Sequence, residues 1–302
     1  MLMKDRPANL PASILARLRN IAEQADGQSA HPEAIRHREA ALSAEHLPHR
    51  DQFSLKGAML FTAWLDDPFR PTQNLDLLGF VNPDVTAIRF RNICRIKAEE
   101  DGLAYDANGL SVEAIREGQQ YGGVRVQTTA FLGTTRIPVQ VDIGFGDAVT
   151  PTAQELEFPS LLSAEAPRLR AYPRETVVAE KLQAIVVLGQ ANSRMKDFYD
   201  LALSRLFAMK GGSLVQAIRA TFERRDTLLP TETPLGLSAA FAEDSKKARQ
   251  WTAFVGREPL LLQPSNLPAA IVAIGELVFP PLQAAALGDG FERHWPAGGP
   301  WT

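Results

Sequence analysis

Apolar residues recur with helical spacing over residues 11–22, and Ser13 is the candidate cap of this first helix. A polar stretch from Gln24 to Arg50 follows, carrying His31, His37, His46 and His49. Only His46 and His49, beside Glu45, have a spacing that suits a metal on a helix, and Pro48 between them opposes that helix. A solvated helix or loop is the reading that remains. Residues 53–56 then read as a short strand, Gly57 as a turn, and residues 58–65 as an amphipathic helix stopped by Asp66, Asp67 and Pro68. Residues 74–79 open with alternating polar and apolar positions, as a half-buried strand does. A helix is expected over 84–99 and a short strand over 103–105. The clearest β pattern is a long pair, 124–132 and 136–145, joined through Gly133, Thr134 and Thr135. Pro138 has no N–H to give, so it belongs at an edge or a bulge.

Beyond Pro151 the period changes. A proline-containing linker over 158–167 leads into helices expected at 176–188, 194–210, 213–224, 237–254 and 268–277, and residues 288–302 read as irregular. The pattern predicts an α/β domain over residues 1–155 and a helical C-terminal domain over 156–302, an α/β (α+β) chain with a mixed sheet core.

Composition narrows the function classes. Of 302 residues, 45% are hydrophobic and 22% charged, values that exclude a wholly disordered or fibrous chain. A net charge of -3 leaves no global basic footprint, so contact with nucleic acid would need a local patch. Cys94 stands alone, without a disulfide partner or a zinc-binding set, and reads as a structural thiol. No run approaches the roughly 20 uninterrupted apolar residues of a membrane helix. Residues 1–7 lack the apolar core of a signal peptide, so the expectation is a cytoplasmic protein with no membrane association.

Candidate chemistry sits in two places. A strand ending in Lys56-Gly57, then a helix, then a strand bearing Asp76, is an arrangement that handles phosphate. Backbone N–H groups at a glycine-opened helix start favour an anion, a lysine adds mobile charge, and aspartate oxygens hold Mg²⁺ against the same phosphates. A surface lysine and a water-exposed strand-end carboxylate remain the alternative for Lys56 and Asp76. Asp142 shares a strand face with Gln140 and Gly144, a face that either lines a cleft or meets water. The second place is Glu180-Lys181, set in an otherwise apolar helix, followed by Arg194-Met195-Lys196-Asp197 with Asp200 at i, i+3 from Asp197. A buried lysine needs a carboxylate or a phosphate, and both a salt-bridge network between packed helices and a functional site answer that need.

These segments resemble a known family. Residues 53–60 with 70–79 look like the first motif of the AbiEii/AbiGii-type toxins, nucleotidyltransferase-fold proteins of bacterial toxin–antitoxin systems. Residues 141–147 are similar to the family's central strand, 180–184 to its glutamate-lysine helix, and 194–201 to its downstream aspartate motif. The resemblance spans roughly residues 53 to 201 and implies a nucleotidyltransferase-like core acting on an NTP with Mg²⁺. It implies Asp76 as the essential metal ligand, and Asp76, Lys181, Asp197 and Lys56 as the catalytic set; Asp142, the best-placed acid on a neighbouring expected strand, is the candidate second metal ligand. The nucleotide-binding set it implies is Lys56, Gly57, Ala58, Asn74, Lys181 and Arg194. An RNA acceptor, tRNA foremost, and a cognate antitoxin protein are the implied partners. Two positions depart from the family pattern. Ala58 follows Gly57 where the family carries serine or glycine, and Asn74 stands where its first strand aspartate lies. A small-molecule nucleotidyltransferase and a non-catalytic nucleotide- or RNA-binding module are the alternatives.

Overall fold

The structure, a computed structural model, describes residues 9–24, 50–65, 74–96, 102–115, 122–159, 166–256, 260 and 266–302. His31, His37, His46, His49 and the Asp66-Asp67-Pro68 stop lie outside the described residues. The chain divides into two compact units, residues 1–146 with 155–171 and residues 147–154 with 172–302. Residue 155, where the sequence pattern placed a division, is where the chain re-enters the first unit.

In the first unit, helix α1 (Leu10–Gln24) buries Ile14 and Leu18. The Ala12 N–H donates to Asn9 Oδ1 at 3.1 Å, so Asn9 is the cap and Ser13 lies inside the helix, correcting the expectation. Pro11 occupies the first turn, where a missing N–H costs nothing. Eight strands follow, interrupted by α2 (Met59–Leu65) and α3 (Thr86–Cys94): β1 (Phe53–Lys56), β2 (Asn74–Gly79), β3 (Leu103–Tyr105), β4 (Ser111–Ile115), β5 (Gly123–Leu132), β6 (Thr135–Phe145), β7 (Gln154–Glu157) and β8 (Arg168–Ala171). They form one mixed sheet in the order β3-β5-β6-β2-β1-β8-β7, with β4 also alongside β5. β2 runs parallel to β6, and β1 parallel to β8, while β1–β2 and β5–β6 are antiparallel.

Alternation along the long hairpin does what the sequence pattern implies. Val126, Ala130, Leu132, Ile137, Val139, Val141 and Ile143 are buried, and the other face carries Arg125, Gln127, Gln140 and Asp142. Leu132 pairs with Thr135, so the turn is the two residues Gly133-Thr134, with Gly133 at φ 62°. Pro138 lies opposite Thr129, two positions before Gln140, the first β6 residue to pair with β2. That placement spares β6 the donor it lacks. The helix expected from residue 84 begins as a 3-10 turn, Pro83–Val85, capped by Asn82, and α3 ends at Cys94. β4 and β8 were not legible from pattern: β4 exposes Ser111, Glu113 and Ala114, and β8 is four residues of alternating basic and apolar character.

The second unit is mainly helical: α4 (Arg174–Leu188), α5 (Met195–Ser204), α6 (Gly211–Arg224), α7 (Ala239–Ala242), α8 (Ser245–Val255) and α9 (Leu267–Leu287), with a small sheet of β9 (Met209–Lys210) and β10 (His294–Trp295). Three expectations need correction. α5 stops at Ser204, and Met209-Lys210 pairs with His294-Trp295 instead of continuing the helix, so the 288–302 tail is not wholly irregular. The 237–254 segment is two helices, because the Asp244 side chain accepts from the N–H groups of Lys246 and Lys247 at 2.8 and 2.9 Å and starts a new one. α9 continues past Leu277, carries Pro280 and Pro281 within it, and ends at Gly288 in the left-handed region. Among the described helices α9 is the one long and apolar enough to cross a membrane. Its buried residues, Leu267, Ala270, Ile271, Ile274, Leu277 and Val278 among them, pack in the core of the second unit.

Candidate active site

The register of the first unit sets the site. Lys56 lies opposite Asp76, Asp76 opposite Asp142, Asp142 opposite Arg125, and Arg125 opposite Glu113. Paired residues share a sheet face, so five strands carry one charged row in which the two acids Asp76 and Asp142 are neighbours, flanked by Lys56 on one side and Arg125 on the other. A second row, Asn74, Gln140, Gln127 and Ser111, runs beside it. Neighbouring strands lie about 4.8 Å apart, so the Asp76 and Asp142 carboxylates rise from adjacent backbones onto the same surface.

Gly57 fits against this row. Its φ is 77°, and a side-chain carbon built there would collide with the Asp76 carboxylate. Glycine is required twice over, for the left-handed turn and for the close approach of the acid to the backbone. Helix α2 opens two residues later, with the Leu60 and Phe61 N–H groups bonding back to the Gly57 and Ala58 carbonyls at 3.3 and 3.2 Å.

Asp142 is engaged by an arginine. Arg125 donates from Nε to Asp142 Oδ1 at 2.7 Å and from Nη2 to Oδ2 at 2.8 Å, a two-pronged charge-assisted pair. Gln140 Nε2 lies 3.4 Å from Oδ1, and Asn74 Nδ2 donates to Oδ2 at 3.5 Å. Asn74 therefore faces the acids from the next rung of the same strand.

The second unit holds its own ionic cluster. Lys181 Nζ on α4 lies 3.0 Å from Asp197 Oδ1 and 2.8 Å from Asp200 Oδ2, both on α5. Burial alone would lower the lysine's pKa, but the two carboxylates outweigh it and raise it above its ordinary value. Arg194 Nε lies 3.2 Å from the other oxygen of Asp197. One residue before Lys181, Glu180 points elsewhere. Arg225 Nη2 lies 3.0 Å from both Glu180 Oε1 and Asp147 Oδ1, and Arg225 Nη1 donates to Gln183 Oε1 at 3.0 Å. Tyr172 sits against this second network. Burial, and then the charge of Glu180, push its hydroxyl well above the usual tyrosine range.

The structure thus brings Lys56, Gly57, Asn74, Asp76 and Asp142 to one face of the first unit, and Lys181, Arg194 and Asp197 together in the second. Sequence reasoning missed Arg125, whose signal was its place two residues before Gln127 on the polar face of a strand pairing with Asp142. It also missed Arg225 and Tyr172, which had no local pattern to mark them.

The donor set of the first unit fits a sparse Mg²⁺ site. Among the described residues no three acidic, histidine or cysteine groups converge. Mg²⁺ is ordinarily held by one or two carboxylates, with phosphate oxygens and water completing its shell, and Asp76 and Asp142 supply that number.

Comparison with known proteins places these residues in context. The family model described as nucleotidyl transferase AbiEii toxin, type IV TA system, matches residues 40–274, well over half of the chain. Two solved structures are similar to it: JHP933 from Helicobacter pylori, at 15% identity and a TM-score of 0.47, covering 86% of this chain and 94% of that one; and a candidate nucleotidyltransferase from H. pylori, at 14% identity and a TM-score of 0.43, covering 86% and 97%. No protein of curated function matches.

Proposed function

Because the chain belongs to the AbiEii family of nucleotidyl transferase toxins of type IV toxin–antitoxin systems, we propose that it transfers a nucleoside monophosphate from an NTP to a hydroxyl of an RNA, tRNA foremost, in the cytoplasm. The observation that carries this reading is the row Lys56, Asp76 and Asp142 with Gly57 flush against Asp76. Nucleotidyl transfer asks little covalent chemistry of a protein. An acceptor oxygen attacks the α-phosphorus, the bond to the β-phosphate oxygen breaks, and pyrophosphate leaves, so catalysis is positioning and charge stabilisation.

Each residue has a part in that reading. Asp76 is the principal Mg²⁺ ligand and Asp142 the second. The ion, when bound, neutralises charge building on the phosphates. Gly57 and Ala58 offer backbone donors to the triphosphate, and Lys56 adds a positive side chain beside them. Asn74 presents an amide on the same surface. In the second unit, Lys181 is the proposed phosphate contact, with Asp197 and Arg194 as its neighbours. A cognate antitoxin encoded with the toxin is the proposed regulatory partner.

The test is incorporation of labelled NTPs into total RNA, with small hydroxyl compounds as a second acceptor arm. The expected outcome is labelled RNA with the native protein and none with a folded Asp76→Ala variant. Label appearing only on small acceptors would overturn the RNA assignment, and undiminished labelling by Asp76→Ala would overturn the site.

A further inference from the structure

We infer that Arg125 is a positioning residue that competes with the divalent cation for Asp142, so that Asp142 joins the metal site only when an incoming anion draws the guanidinium away. The inference rests on the reading of Asp76 and Asp142 as the cation-binding pair and extends it to a residue that reading does not contain. Its basis is geometric. Arg125 spans both oxygens of Asp142, at 2.7 and 2.8 Å, the separation of short charge-assisted bonds. The two residues are direct register partners on adjacent strands, so the pair is set by the fold and not by a chance meeting of long side chains.

A cation sharing Asp142 with this guanidinium must displace it from at least one oxygen or accept a positive charge within a few ångströms. The Arg125 side chain is 37% exposed and that of Asp142 is 18% exposed, so the arginine has open surface to swing into while the acid stays in place. A triphosphate carries the charge that would attract it, and guanidinium matches phosphate oxygens in the same two-pronged way that it matches a carboxylate. Cation and nucleotide binding are then coupled through one arginine. The nucleotide frees the second carboxylate, and the freed carboxylate holds the cation that the nucleotide needs.

The experiment measures Mn²⁺ affinity of the full chain by calorimetry and by the spin resonance of free Mn²⁺, without nucleotide and with a non-hydrolysable NTP. Without nucleotide, Arg125→Gln should bind Mn²⁺ about three- to tenfold more tightly, the effect of removing one positive charge beside a partly exposed site. Asp142→Ala alone should change affinity less than about twofold without nucleotide, because the acid is already occupied, and should weaken it clearly with nucleotide. The double variant Arg125→Gln/Asp142→Ala should lose the gain. Arg125→Lys keeps the charge with a single point of contact, should fall between native and Arg125→Gln, and serves should the glutamine variant melt early. Unchanged or weaker Mn²⁺ binding in both arginine variants would overturn the competition. A folded Asp76→Ala protein that binds Mn²⁺ as the native does would instead overturn the underlying metal-site reading, and the two failures are distinct.

Discussion

At the scale of single residues, Asn74 and Cys94 show how neighbours decide what a side chain does. Asn74 donates to Asp142 across the strand pair, so it faces the acids despite carrying no charge. Asn74→Asp is nearly isosteric and adds a negative charge at that point, so Mg²⁺ affinity measured by calorimetry should rise. Unchanged or weaker affinity would mean that position 74 does not face the ion. Cys94 is buried at the end of α3, and burial first, then the charge of Asp106, push its thiol from 9.0 to about 11. The unfolded chain releases this proton near 9.0 and the folded chain near 11, so the folded state holds it longer. The thiol's contribution to stability is therefore level below pH 9.0 and declines from there toward pH 11, so native stability should fall more steeply over that range than that of Cys94→Ala, which thermal melting checks. Native Cys94 should also react with a thiol reagent at least about tenfold more slowly than the denatured chain at mildly alkaline pH. The structural reading of this cysteine was legible from its apolar neighbours. Arg125 was not, because a strand's own alternation gives a residue's face but not which residue of another strand meets it.

At the scale of elements, the Lys181 cluster ties α4 to α5. Asp200 is wholly buried, and Asp197 and Lys181 nearly so, which makes the tie costly to break from one side. Lys181→Ala removes the cation that buried Asp197 and Asp200 share, leaves Asp197 to Arg194, and should cost about 3–5 kcal/mol of unfolding free energy, read by urea titration. Lys181→Ala combined with Asp200→Asn should recover part of that loss, since fewer unpaired charges remain. The raised lysine pKa means that the tie is fully formed below 10.5 and lost only as pH rises through the higher folded value, so this loss should be the same across the neutral range. Weakened NTP binding by a Lys181→Ala protein that keeps its melting temperature would point to phosphate contact as the residue's main role. An unchanged nucleotide affinity with a large fall in melting temperature would leave only the helix tie. The apolar spacing of these helices was readable. Their ends were not: α5 stops at a β-pairing with a segment some eighty residues later, and α7–α8 divide at the Asp244 cap, which sits in a run that otherwise keeps helical composition.

At the scale of the whole molecule, the two compact units differ in how openly the chain announced them. The first follows strand alternation and glycine turns, so its central β1, β2, β5 and β6 were visible, while β4, β7 and β8 are held by partners that pattern does not reveal. The second closes through its C-terminal tail, whose glycine and proline content concealed its packing. Trp295 is fully buried and its indole N–H donates to the Arg205 carbonyl at 2.9 Å. Trp301 donates to the Leu277 carbonyl at 3.0 Å and meets Trp295 and Phe291 edge-on, with ring centroids 5.4 and 5.0 Å apart. A large aromatic in such a place is worth far more than a surface residue, and truncating one leaves a cavity that its neighbours fill only in part. Trp295→Ala should therefore destabilise the second unit by about 3–5 kcal/mol. Trp251, Trp295 and Trp301 lie in that unit and Trp64 in the first, so tryptophan fluorescence follows mainly the second unit while far-UV circular dichroism follows both. In Trp295→Ala the fluorescence transition in urea should move to lower denaturant ahead of the dichroism signal from the sheet. A Trp295→Ala protein whose fluorescence midpoint matched the native one would show that the tail does not help hold the helical unit together.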